Sequence, residues 1–237
     1  MTYLITILLI GFLIFVHELG HLLAAWSMGI PVARFSVGFG PVLLSWRKSG
    51  TEYCLSLVPL GGYVLPRCED ETEFFNIPVG RRIVLWLGGP AANFVFAALL
   101  LGWAQCLSVG FSWHGVVVRP WLEVGRQSLA LLAVLPQLFS RPDQLSGIVG
   151  IVAVGKSLLD GGLARAIDFA VLLNLNLAIF NLLPLPPLDG GKIFCTLLEK
   201  VHPRLARLQT GFTLAGLAVL LVLMAYTTVL DVVRQLA

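Results

Sequence analysis

Charge is the scarcest thing in this chain. Only 12% of its 237 residues are Asp, Glu, Lys or Arg, against about 25% in an ordinary soluble domain. With 57% hydrophobic residues and a mean hydropathy of +0.89, that shortage excludes an ordinary water-soluble domain and points to a membrane protein. No run of basic residues is long enough to track a phosphate backbone, and the net charge is only +3, so nucleic acid is not an expected partner. Cysteine is also sparse. Cys54, Cys68, Cys106 and Cys195 form no C-x-x-C pair, which excludes a disulfide framework or a cysteine zinc site and leaves free, apolar-like thiols. The first apolar stretch, Tyr3–Val16, has neither a basic leader nor a small-residue cleavage site after it. It is expected to be a retained spanning helix and not a signal peptide. Internal repeats and low-complexity segments are absent as well.

What is present is a set of long apolar runs. Four spans are expected, at about 3–28, 83–109, 164–183 and 208–230, each reaching the ~20 helical residues that a ~30 Å hydrocarbon layer needs. Asp168, Asn174 and Asn176 interrupt the third, and Asp168 either faces the bundle interior or marks the outer end of that span. Ten of the sixteen basic residues fall in the 1–2 and 3–4 connections. That bias puts those connections in the cytoplasm and both termini outside.

The connections carry their own structure. Residues 34–65 are short β-prone runs broken by Gly38, Gly40, Pro41, Ser49-Gly50 and Gly61-Gly62. Lys48-Ser49-Gly50 is expected to turn Val42–Trp46 back onto Glu52–Val58 as a hairpin. Such apolar strands belong at the membrane interface or along a protein cavity. Glu69–Glu73 reads as a solvated acidic turn. Residues 121–139 mix apolar runs with Glu123, Arg126, Gln127 and Gln137, the pattern of an interfacial amphipathic helix. His114 and His202 read as surface or interfacial histidines, and the six tryptophans as interfacial anchors.

The chemistry is concentrated in the first span. His17-Glu18-Leu19-Gly20-His21 fits H-E-x-x-H. On a helix its two histidines stand one turn apart on one face and can share a Zn²⁺, with Glu18 beside them to take a proton from a metal-bound water. Ionisable residues deep in a span each cost about 2.5–3.5 kcal/mol on insertion and are functional by default. Three within five positions argue against a chance match. His17 lies about 21 Å along the helix from Tyr3, which sets the site inside the membrane toward the cytoplasmic face. Zinc needs a third protein ligand and an open fourth position. Asp189 is the candidate. It follows Pro184, Pro186 and Pro187, which end the third span, and precedes Gly190-Gly191. A lone Asp there is ordinarily a turn or cap residue, but the H-E-x-x-H without a nearby third ligand favours ligation.

Phe15–His21 together with the run from Asn181 to Gly191 closely resembles the site-2 proteases, zinc enzymes of intramembrane proteolysis. The likeness extends to Arg34–Gly40, Leu57–Val64, Gly89-Pro-Ala-Ala-Asn93 and Leu145-Ser-Gly147. The resemblance implies an α-helical integral membrane protein of about four transmembrane helices with a membrane-associated β-hairpin, one Zn²⁺ per chain on His17, His21 and Asp189, and Glu18 as base. It implies that the 34–65 segment, with Gly38, Gly40, Leu57, Gly61 and Gly62, pairs with an unwound substrate strand. Asn181 either hydrogen-bonds that substrate or satisfies the broken helix end. The implied substrates are single-span membrane proteins or leftover signal peptides, in the inner (plasma) membrane and surrounded by its lipid bilayer. The bacterial members it resembles carry one or two PDZ domains between the second and third spans. The corresponding connection here is too short for one, so a looser gate or a separate regulatory partner is expected. Two non-protease alternatives are a membrane metal transporter and a metal-binding protein without enzymatic activity, and a zinc prenyl-protein protease would use a distant glutamate where this chain has Leu-Asp-Gly-Gly.

Overall fold

The computed structural model describes residues 2–68, 71–140, 147–201 and 209–236. Residues 69–70 of the acidic turn, Leu145-Ser146 and His202 lie outside these ranges.

Helix α1 (Thr2–Ser27) leads into two long strands, β1 (Val32–Lys48) and β2 (Thr51–Pro66). A short α2 (Glu71–Asn76) precedes α3 (Val79–Val109). A π-helical turn at His114–Val118 runs directly into α4 (Arg119–Ser140), followed by α5 (Ile148–Leu159) and α6 (Leu163–Asn181). Helices α7 (Asp189–Val201) and α8 (Gln209–Leu236) complete the chain. Among the described residues, four segments are long and apolar enough to cross a membrane: Thr2–Ser27, Val79–Val109, Leu163–Asn181 and Gly211–Asp231. The protein is a multi-pass helical membrane protein. Only 6% of the last span is buried inside the protein, so nearly all of its apolar surface is left to lipid.

Helices α1 and α3 form the central pair, and small residues set how close they come. A methyl group at Gly20 would lie 2.2 Å from the Gly88 carbonyl oxygen, and one at Gly88 would lie 2.5 Å from that of Gly20. Lipid tails are as apolar as leucine, so packing of this kind is what holds spans together. Around that contact Leu22, Ala25 and Leu85 pack with Ile30 of the connection and with Val32 and Phe35 of the sheet. Farther along α3, Ala97 and Ala98 meet Ile167, Val171 and Leu175 of α6 and Val124 of α4.

The strand region is larger than a simple hairpin. The Ser49-Gly50 turn is present, with φ of 51° and 80°, and Lys48 pairs with Thr51 across it. Two successive positive φ values mark the turn that suits right-twisted strands. The two strands pair antiparallel across the hairpin, and both extend beyond it. Residues 34–37 have partners on both flanks, 62–65 in antiparallel register on one and 52–55 in rising, parallel register on the other, whereas among the described residues 62–65 have one-sided pairing. The glycines that break up the sequence in this region therefore bend continuous strands instead of ending them. Phe39, Leu43, Leu44, Trp46 and Leu57 stay about half exposed, an apolar face suited to lipid.

Helix α7 is anchored to α3 by an ion pair. Arg82, 1% exposed, sends Nη2 to Glu199 Oε1 and Nη1 to Glu199 Oε2, both at 2.8 Å. Its Nε donates to the Ile77 carbonyl, and Phe74 and Phe75 lie under the guanidinium. Removing one member strands a buried charge. Glu199→Ala is expected to cost about 3 kcal/mol, read from denaturant titration of the detergent-solubilised protein. Arg82→Met combined with Glu199→Leu should recover most of the loss.

Candidate metal centre

His17 and His21 lie on the buried side of α1, 6% and 5% exposed, and Asp189 at the start of α7 is 4% exposed. The turn that carries Asp189 follows from the prolines. Helix α6 stops at Asn181, the chain turns through 182–188, and α7 restarts at Asp189. A carboxylate in a helix's first turn also suits the helix dipole.

Three atoms converge. His17 Nε2 and His21 Nε2 each lie 3.1 Å from Asp189 Oδ2, and the two ring nitrogens are 3.2 Å apart. The environment of the rings decides what this triangle can hold. His21 Nδ1 lies 2.8 Å from the Leu85 carbonyl. A carbonyl can only accept, so Nδ1–H donates to it and in the neutral ring Nε2 carries the lone pair; the Gly89 N–H, 3.3 Å from the same Nδ1, is the longer contact.

On the other ring, the Asn93 side-chain amide lies 3.1 Å from His17 Nδ1. With Nδ2 toward the ring, Asn93 Oδ1 is buried without a partner. Turning the amide by half a revolution, which exchanges its N and O, would let Oδ1 accept from Nδ1–H and would move Nδ2 into the position that has no partner. His17 Nε2 then carries a lone pair as well.

With both rings in the tautomer that protonates Nδ1, three acceptor atoms face one point, an arrangement that a cation relieves. Ligand atoms 2.0–2.1 Å from a tetrahedral zinc stand about 3.3 Å from one another, close to the separations here. Two imidazoles and a carboxylate are a set zinc accepts. The residues therefore fit such an ion.

A cavity of about 230 Å³ opens onto these atoms and is lined also by Glu18, Gly62, Tyr63, Trp86, Asn181 and Lys192. Glu18 is held close to the sheet: a methyl group at Gly62 would come within 2.7 Å of its Cγ.

Of the residues read as substrate contacts, Gly62 and Asn181 line the cavity, and Gly38, Gly40, Leu57 and Gly61 do not. Asn181 Nδ2 donates to the Leu177 carbonyl one turn back, so its amide donor serves its own helix. Four contributors have no role assigned from sequence: the Leu85 carbonyl, Asn93, Trp86 and Lys192. Only Asn93 carries a signal there, as an amide in mid-span whose cost demands a partner.

The family model of peptidase family M50 matches residues 5–223. A Clostridium acetobutylicum protein provisionally named a zinc metalloprotease is 23% identical over 327 residues, covering 97% of this chain and 96% of the relative. A similarly named Synechocystis protein is 26% identical over 334 residues, covering 92% and 91%. Regulator of sigma-E protease RseP of Salmonella typhimurium is 43% identical over 104 residues, which are 38% of this chain and 22% of that protein.

Gly89 supplies a direct check on the triangle. A methyl group there would lie 2.4 Å from His21 Nε2 and 2.6 Å from His17 Nε2, whereas one at Gly80 meets nothing within 4 Å. Gly89→Ala should weaken zinc binding at least tenfold, the scale of disturbed ligand orientation, and Gly80→Ala should leave it unchanged. Chelator competition on the purified protein measures both.

Proposed function

The chain belongs to peptidase family M50, the site-2 proteases, and from that premise we propose that His17, His21 and Asp189 hold one zinc ion while Glu18 serves as general base. The protein is a zinc metalloendopeptidase of the membrane, and its reaction is intramembrane hydrolysis of peptide bonds. The observation that carries the residue assignment is the convergence of three acceptor atoms 3.1–3.2 Å apart on two separate helices.

Zinc, when bound, acts as a Lewis acid that polarises the scissile carbonyl and makes water acidic enough to deprotonate near neutral pH. The chain's own groups do the rest. Glu18 follows His17 directly and faces the same cavity, so its carboxylate takes a proton from the attacking water and delivers it to the departing amine nitrogen. The Leu85 carbonyl holds the His21 ring with Nε2 toward the site, and Asn93, with its amide oxygen turned to Nδ1, would do the same for His17.

A spanning substrate hides its carbonyls in helical hydrogen bonds and must be opened before attack. Residues 62–65 have one-sided pairing and run along the cavity through Gly62, Tyr63 and Val64. That edge can accept an extended substrate segment by strand addition. We assign single-span membrane proteins or leftover signal peptides as substrates, in the inner membrane with both termini outside and the metal toward the cytoplasmic side. The excess of basic residues in the 1–2 and 3–4 connections supports this orientation. The relatives align over 327 and 334 residues against 237 here, a difference of roughly 100 residues, the size of a small domain. That difference supports a chain without a PDZ filter, gated loosely or by a separate partner.

Co-expression with single-span substrates tests the assignment. Glu18→Gln should keep its zinc and lose cleavage by about 10²-fold or more, and Asp189→Asn should lose both. A Glu18→Gln variant that still cleaved would remove Glu18 from its role.

A further inference from the structure

Asp189 uses its two oxygens differently. Oδ2 faces both imidazoles at 3.1 Å. Oδ1 lies 3.1 Å from Lys192 Nζ, one turn along α7 on the same side of the helix. The ammonium is held from the other direction by Trp86 of α3, whose ring centroid is 4.4 Å away, a distance at which a cation binds an aromatic face. Trp86 in turn meets the His21 ring edge-on at 6.4 Å. Lys192 thus sits between the ring that packs on one ligand and the carboxylate that supplies another, on the wall of the same cavity.

We propose that Lys192 is a positioning residue of the metal centre: by occupying Oδ1 it restricts Asp189 to a single ligating oxygen, Oδ2, and keeps the fourth position on the ion open. The inference rests on the reading of His17, His21 and Asp189 as zinc ligands. A carboxylate can ligate through one or both oxygens. Two from Asp189 with two imidazoles would give four protein ligand atoms, the closed count of a structural site, whereas a hydrolytic site keeps three and leaves a place for water. A hydrogen bond from an ammonium to the second oxygen is charge-assisted and therefore among the stronger kinds. It also sets a positive charge beside two carboxylates, Asp189 and Glu18, that would otherwise repel each other across the site before an ion enters.

The test uses the full chain purified in detergent, with Zn²⁺ affinity from competition with a chromogenic chelator and the visible spectrum of the Co²⁺-loaded protein. Lys192→Met keeps the aliphatic stem against Trp86 and removes the charge. Zinc affinity should rise by about tenfold or more, because the freed Oδ1 adds a ligand atom and a repelling positive charge is gone. The Co²⁺ bands should change in intensity to those of an altered coordination number. Lys192→Arg, which keeps a cationic donor, should restore most of both. The spectrum is read on loaded protein, so a general loss of stability does not mimic the effect. Unchanged affinity and an unchanged Co²⁺ spectrum in Lys192→Met would overturn the proposal, whether or not cleavage slowed. If the wild-type chain bound no zinc, the metal-centre reading itself would fall. If it bound zinc and Lys192→Met matched it, only the role of Lys192 would.

Discussion

Three acceptor atoms pointed at one another inside a low-dielectric environment form an unstable arrangement without a cation. His17 Nε2, His21 Nε2 and Asp189 Oδ2 are held in that arrangement by contacts that have nothing to do with one another in sequence. The Gly20–Gly88 contact brings α1 against α3. The Leu85 carbonyl and Asn93 of α3 then orient the two rings. The proline-broken end of α6 returns the chain so that α7 starts at the rings, and Arg82–Glu199 fixes the far end of α7 to α3. Helix α3 contributes no ligand, yet it touches every group that does or the helix that carries it. The site is a property of that shared scaffold more than of the short motif.

The sheet adds the second element that hydrolysis of a helical substrate requires. A buried centre that can bind a metal but has nowhere to lay an extended chain would suit storage or transport of an ion. Here the strand segment with one-sided pairing runs beside Glu18 and along the cavity, and the outward apolar residues of the same sheet keep it in lipid, where substrates are. On the proposed reading, membrane position, strand edge and acceptor triangle serve one reaction.

Much of this is legible in the order of the amino acids alone, for reasons that differ by element. The four spans are legible because hydrophobic length in lipid is nearly sufficient to specify a helix. The third ends at Asn181, two residues before the expected boundary, because Pro184 disfavours helix ahead of it. His17, Glu18 and His21 are legible because an i, i+4 spacing is local. Asp189 requires a further step, since its partner lies 168 positions away and only the prolines announce a break. Asn93 stands in a recognisable run without an evident role, because its partner is a side chain on another helix. The Leu85 carbonyl is not legible at all, as every residue has one and only tertiary packing selects it. In the sheet, Gly38, Gly40 and Gly61 read as breaks, whereas their positive φ values of 88°, 85° and 153° are accommodated within long strands. Local glycine signals mark bends as readily as ends.

The central claim is that one ion joins the first span to the proline-broken segment. Zinc K-edge X-ray absorption on the purified, zinc-loaded chain tests it most directly, together with the metal-to-protein ratio. The account predicts one zinc per chain with two imidazole nitrogens and only light oxygen atoms completing the shell, at about 2.0–2.2 Å. A shell containing sulfur, a single imidazole, or an unchanged spectrum after Asp189 is replaced would contradict it.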